Sequence, residues 1–85
     1  MREDVRNALA RMDKDEKTAK VLKYMATHKK GITPMHAMER FYVYRLSSII
    51  YNLRNTYGLP VNSTLETTID GTRYARYTLE DENAV

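Results

Sequence analysis

ITPMHAMERFYVYRLSSIIYNLRNTYG, residues 32–58, is the stretch whose reading decides the fold. It divides into two helices joined by a tight turn. Thr33 can accept from free amides at a helix start, and Pro34 sits at the first helical position, where no N–H is needed. This helix covers about Pro34 to Arg40, with Ala37, Met38 and Phe41 on the side expected to be buried. A short turn around Phe41 and Tyr42 leads into a second helix from about Val43 to Asn55, where Val43, Leu46, Ile50 and Leu53 recur at helical spacing and Tyr57 falls on the same arc. Gly58 supplies the left-handed residue that ends it, and Pro60 prevents continuation. On the far side lie Tyr44, Ser48, Tyr51 and Asn55, flanked by Arg45 and Asn52.

Upstream, Val5, Ala8, Leu9 and Met12 recur at amphipathic spacing, so the first dozen residues form a helix with one apolar stripe. A helix this short is marginal alone and must pack on the domain, pair with a second copy or fray. The stripe Val5, Leu9 and Met12 is taken as a candidate dimer contact. The acidic cluster around Asp13 interrupts the pattern, and a further helix runs from about Asp15 to His28. Ala19, Leu22, Met25, Val21 and Ala26 face inward, and Lys29-Lys30-Gly31 closes the helix.

Downstream, the period changes from helical to alternating at Val61, and the residues become β-branched and aromatic. A two-residue turn at Asp70-Gly71 would split the apolar residues between two faces. A three-residue loop, Ile69-Asp70-Gly71, with Gly71 left-handed in a bulge, instead pairs Val61 with Leu79, Ser63 with Tyr77 and Leu65 with Ala75, and gathers the core candidates on one face. The other face, from Asn62 to Thr78, is polar and solvated. Three helices followed by this hairpin make a winged helix-turn-helix. The expected class is α+β, mainly α, with a three-helix core, a two-stranded antiparallel wing and an extra amino-terminal helix. Residues 1–14 form that helix, 15–79 the winged domain, and 80–85 a mobile acidic tail.

Composition narrows the function. Eighty-five residues make one small domain. There is no cysteine, which excludes disulfides and thiolate zinc sites and is compatible with a reducing cytoplasm. No apolar run approaches the roughly 20 residues that span a bilayer, and the amino end lacks the apolar stretch of a signal peptide. The net charge of +3 is unevenly spread: residues 17–58 hold eight basic side chains and one acidic, so this segment is +7 and the remainder −4. A basic block coinciding with a helix-turn-helix is the footprint of a polyanion binder.

In the usual docking the amino-terminal half of the second helix enters the major groove. Tyr44, Arg45, Ser48, Tyr51 and Asn52 are therefore the candidates for base contacts, with Asn52 suited to adenine and Arg45 to guanine. Thr33, Lys29, Lys30, Ser47, Arg54 and Asn55 are the candidates for phosphates, and Arg73 and Arg76 for wing contacts. Thr33 is better suited to capping than to a phosphate. Catalysis finds no support: His28 and His36 have no partner at metal-ligand spacing, Ser47-Ser48 lacks an activating context, and three glycines make no phosphate loop. No cofactor or metal is expected.

From Lys20 to Leu79 the chain resembles the small winged helix-turn-helix domains carried by bacteriophages and other mobile elements. The likeness rests on Ile32-Thr33-Pro34-Met35-His36-Ala37-Met38-Glu39-Arg40-Phe41, on Arg45-Leu46-Ser47-Ser48-Ile49-Ile50-Tyr51-Asn52-Leu53-Arg54, and on Ala75-Arg76-Tyr77-Thr78-Leu79. It implies double-stranded DNA binding and a regulatory task in transcription, excision or replication. The helix ending Asn55-Thr56-Tyr57-Gly58 is less basic than that family's Lys/Arg-rich ending. The expectation is a cytoplasmic, sequence-specific DNA reader that acts as a homodimer on paired half-sites. Two rival expectations are a winged module that captures a host or viral protein, and a single-strand or RNA binder that stacks bases on Tyr44 and Tyr51.

Overall fold

In the computed structural model, residues 2–13 and 16–80 are described. The elements in chain order are α1 (Glu3–Ala10), α2 (Lys17–Thr27), α3 (Pro34–Phe41), α4 (Leu46–Asn55), β1 (Val61–Thr67) and β2 (Arg73–Leu79). The mainly helical fold with a two-stranded antiparallel wing follows the pattern read from the sequence. The expected start of α2 at Asp15 falls on a residue outside those described, as does the tail beyond Glu80. Glu80 itself is tied down: its amide donates to the Pro60 carbonyl at 2.8 Å, and its own carbonyl accepts from Arg2 Nη1.

One apolar core joins all the helices to the base of the wing. Leu22, Ile32, Ile50, Leu53, Val5 and Val21 are its largest fully buried side chains, and Ala19, Met25, Ala37, Val43, Leu46, Leu59 and Val61 are among the others. The α1 helix belongs to this core. Val5 is 0 % exposed, Ala8 and Met12 are also buried, and Leu9 is half-buried against the same cluster. The stripe expected to meet a second copy is therefore covered by its own domain, which corrects the assignment of Val5, Leu9 and Met12 as a dimer contact. The physical reason is economy: an 85-residue chain has too little apolar surface to leave one such face uncovered.

Thr33 caps α3 as its position suggests, its Oγ1 accepting from the His36 amide at 3.3 Å, with Pro34 opening the helix. The α2 and α3 helices are held together by Tyr24, whose ring meets Phe41 edge-on at 6.0 Å, stacks on His28 at 3.9 Å and lies beneath the Arg40 guanidinium. Met38, expected inward, is 45 % exposed; on this eight-residue helix Ala37 and Phe41 already make the core contact.

The turn is longer than expected, and α4 starts later. Tyr42 takes a left-handed conformation (φ 56°) while its amide donates to the Met38 carbonyl, and the Val43 amide donates to the Ala37 carbonyl at 3.1 Å. The chain thus leaves α3 and travels to Leu46 before a new helix begins. The expected helix over 43–55 is corrected to Leu46–Asn55. Val43 is buried, as its spacing suggested, but it is a turn residue that plugs the core from outside the helix.

The wing has the register read from the sequence: Val61 pairs with Leu79, Ser63 with Tyr77 and Leu65 with Ala75. Thr68 and Thr72 close the three-residue loop, and Gly71 is left-handed (φ 89°). Only the base of the wing reaches the core. Val61 is buried, whereas Leu65, expected on the buried face, is 64 % exposed, further out on the hairpin than the residues that reach the core. The sheet also gains a contact that alternation alone did not show. Ile32 exchanges two backbone bonds with Tyr77, each 2.9 Å, so the approach to α3 lies along the outer edge of β2. Gly31 makes this approach possible: a Cβ there would collide with the Tyr77 carbonyl oxygen.

Candidate nucleic-acid interface

The α4 helix separates its two faces cleanly. Leu46, Ile50 and Leu53 are buried, while Ser47, Ser48, Tyr51, Asn52, Arg54 and Asn55 are exposed. The three buried residues fix the helix on the core, so its outward side chains project from a rigid base. Ser48, Tyr51 and Asn52 have no side-chain hydrogen-bond partner among the described residues, which leaves their donors and acceptors open to a ligand. Tyr44 and Arg45 are exposed as well, but they precede the helix: Arg45 is its N-cap residue and Tyr44 belongs to the turn. The Arg45 side chain makes no capping hydrogen bond to the first amides of α4.

Other candidates are engaged inside the molecule. Thr33 is 5 % exposed and its hydroxyl is taken up by the cap, which removes it from the set that can reach a phosphate. Arg54 donates from Nε to the Val61 carbonyl at 2.9 Å, clamping the end of α4 to the start of β1. Asn55 Nδ2 donates to the Tyr51 carbonyl one turn back on the same helix. Lys29 and Lys30 are exposed in the loop between α2 and α3, with the Lys30 carbonyl accepting from Arg76 Nη1 at 3.1 Å.

The two wing arginines differ from each other. Arg73 opens β2 and is exposed next to the loop, as expected of a tip residue. Arg76 is held within the polar face of the wing. Its Nε donates to Glu66 Oε2 at 3.0 Å, and the Tyr74 hydroxyl donates to Glu66 Oε1 at 2.7 Å. The Tyr74 hydrogen bond, then that from Arg76, hold the Glu66 carboxyl below its ordinary value. The hydrogen bond to Glu66 correspondingly raises Arg76. Glu66 thus offsets the charge that Arg76 would bring to a phosphate.

The polar face of the wing forms one wall of a groove of about 540 Å³, which the sequence did not reveal. Thr68, Thr72, Tyr74 and Arg76 line that wall, and Thr33 to His36, Met38, Val43 and Tyr44 line the opposite one. Tyr44 therefore groups with the wing and α3 rather than with the outward face of α4. His36 Nδ1 is buried along this groove without a hydrogen-bond partner among the described residues. Spacing could not have pointed to Met35, which is 63 % exposed, because the groove exists only once the wing folds back on α3. Among the described residues no three His, Asp or Glu side chains converge as a metal-binding group, and no helix is long and apolar enough to cross a membrane.

The comparison with known families now falls on a defined geometry: a capped α3, a tight turn, an α4 with an open outward face, and a wing. The family model described as a winged helix-turn-helix domain matches residues 16–82. The chain belongs to that family. No curated protein and no solved structure matches it. The match takes in α2 through β2, so α1 is an addition to the matched winged helix even though it shares its core. A winged helix-turn-helix domain points to DNA binding in general.

Proposed function

We propose that this winged helix is a sequence-specific reader of double-stranded DNA, a regulator of transcription, excision or replication in a bacteriophage or another mobile element. The observation that carries the reading is the outward face of α4, where Ser48, Tyr51 and Asn52 are exposed without side-chain partners among the described residues, on a helix anchored by Leu46, Ile50 and Leu53. With α4 in the major groove, Arg45, Ser48, Tyr51 and Asn52 meet base edges, Asn52 being able to pair bidentately with adenine and Arg45 with guanine. Tyr44 meets the DNA from the turn. Ser47, Lys29 and Lys30 contact phosphates, and Arg73 carries the wing contact. Arg54, Asn55 and Arg76 support these elements from within. The protein acts by occupying DNA or recruiting a factor, without catalysis or a cofactor, in the cytoplasm of a bacterium or the compartment where a virus exposes its DNA.

One short recognition helix reads few bases, so two copies on paired half-sites provide the specificity. Selection from a random duplex pool tests both parts of the reading. Enrichment of a palindromic motif is the expected result, with affinity falling by about 0.9 in log-log slope against salt for each phosphate neutralised. No enrichment, together with no binding to duplex DNA in low salt, would overturn it.

The groove favours a second reading. Exposed Met35 and Met38 give it an adaptable apolar wall of the kind that accommodates peptide partners, so the domain can also be a module that captures a protein. A protein binder of this kind would leave duplex DNA unbound even at low ionic strength.

A further inference from the structure

We infer that the free edge of β1 is the surface through which two copies of this chain pair, in an antiparallel register centred on Leu65. The inference rests on the two-copy part of the reading above and not on what the protein binds. It begins with the direction of the backbone groups. Tyr77 turns its amide and carbonyl away from β1, toward Ile32. Ser63 is opposite Tyr77, so its own amide and carbonyl point away from β2, and by alternation so do those of Leu65 and Thr67. Arg54 confirms this direction from the other side, because the Val61 carbonyl it takes lies in the same outward series. Arg54 closes the edge at Val61, and the loop at Thr68 closes it at the far end. The amides and carbonyls of Ser63, Leu65 and Thr67 remain, and none has a partner among the described residues.

Those three residues fit their own copy. With Leu65 opposite the second copy's Leu65, Ser63 falls opposite Thr67 and Thr67 opposite Ser63, so every free group finds a partner in roughly six hydrogen bonds. Centring on Ser63 would engage the Val61 carbonyl that Arg54 holds, and centring on Thr67 would run into the loop. The charges agree with the pairing. Val61 to Leu65 carries none, and Glu66 falls opposite the second copy's Thr64, which pairs with Arg76 across the wing, so carboxylate and guanidinium share a row. Leu65, 64 % exposed in a single copy, meets its equivalent. The edge also lacks the usual guards against pairing: no proline, lysine or bulge interrupts β1.

A contact one strand long belongs at the small end of protein interfaces, below about 1,200 Å². The dimer is therefore transient in dilute solution and becomes populated when a shared DNA molecule raises the effective concentration. Covalent trapping detects it without DNA. The chain has no cysteine, so a single introduced thiol is unique. Opposed residues of a hydrogen-bonded pair lie about 5.5 Å apart at Cα, inside the roughly 4.4–6.8 Å that a disulfide spans. Two Ser63 residues would stand about 14 Å apart in this register.

Under mild oxidation of the full-length chain, Leu65→Cys should form a covalent dimer at least about tenfold faster than Ser63→Cys or Thr67→Cys. Because Leu65 is exposed, circular dichroism should show the variant folded. Equal trapping at the three positions, or no dimer at Leu65→Cys with the protein at high concentration, would overturn the proposal. A palindromic site selected by the wild type, with no trapping at position 65, would sink this edge and leave the DNA reading intact. Loss of both would sink the two together.

Discussion

The two elements that a winged helix brings to its ligand are built here in opposite ways. The α4 helix is buried along one side and open along the other: Leu46, Ile50 and Leu53 hold it in the core, and the outward side chains of Ser48, Tyr51 and Asn52 have no hydrogen-bond partner among the described residues. The wing touches the core only at its base and turns its polar chemistry inward upon itself, through Glu66 with Tyr74 and Arg76, and through Thr68, Asp70 and Thr72 around the loop. A helix so fixed presents side chains with little to unlearn on binding. A wing so bonded presents a shape, and Arg73 is the one described arginine on its strands outside the Glu66 network.

The largest effect should come from breaking the anchor on one side of this contrast. Leu53→Ala removes a fully buried side chain and should destabilise the fold by about 2–5 kcal/mol, whereas Leu65→Ala on the wing should change it by less than about 0.5 kcal/mol; chemical denaturation of the two variants measures the difference. Comparable losses would mean that the outer wing is part of the core after all.

Binding should divide along the same line. Arg45→Ala should weaken the preferred site by about 1–3 kcal/mol while sparing random sequence, if Arg45 reads a base. Arg76→Gln should leave base preference unchanged and lower affinity slightly for all sequences by loosening the wing. Titrations against matched and mismatched duplexes separate these outcomes, and a change of preference at Arg76→Gln would put the wing, not α4, in charge of specificity.

The turn before α4 provides a smaller test. Tyr42 holds a left-handed conformation that costs a side-chain-bearing residue about 1–2 kcal/mol, and it is 69 % exposed, so little packing is at stake. Tyr42→Gly should raise stability by about 0.5 kcal/mol, since glycine's own entropy offsets part of the relief. A loss would show that the exposed ring contributes contacts that its exposure does not suggest.

The smallest effect concerns Glu66. Its carboxyl is held below the ordinary value of 4.5, so the folded wing gains from it above that value, and the gain disappears as pH falls through the lower folded value. Wing amide signals near Tyr74 and Arg76 should shift over that acidic window and stay flat from there to neutrality. Glu66→Gln should abolish the acidic shift.

The sequence disclosed these regions unequally. The wing's register was legible because alternation has a period of two, and only a three-residue loop put Val61, Tyr77 and Leu79 on one face. The beginning of α4 was not, because Val43 sits three residues before Leu46 and mimics helical spacing from a turn. The stripe on α1 was visible, but its partner was not: apolar spacing looks the same whether a helix covers its own domain or another copy. Arg76 looked like a charge for DNA because Glu66 lies ten residues away in sequence, although the correct register already places both on one face. The groove facing Met35 had no local signature, since it is made by the return of the wing over α3.

The bridge between Ile32 and Tyr77 gives the hairpin the mechanics of a lever. Two backbone bonds pin β2 near its base to the segment that starts α3, and Arg76 adds a third tie to the carbonyl of Lys30. Beyond that fulcrum no residue of the arm is buried. A force applied at Ile69 would therefore bend the outer strands first and then pull on the beginning of α3, so that pressure on the tip is felt where the helix pair begins.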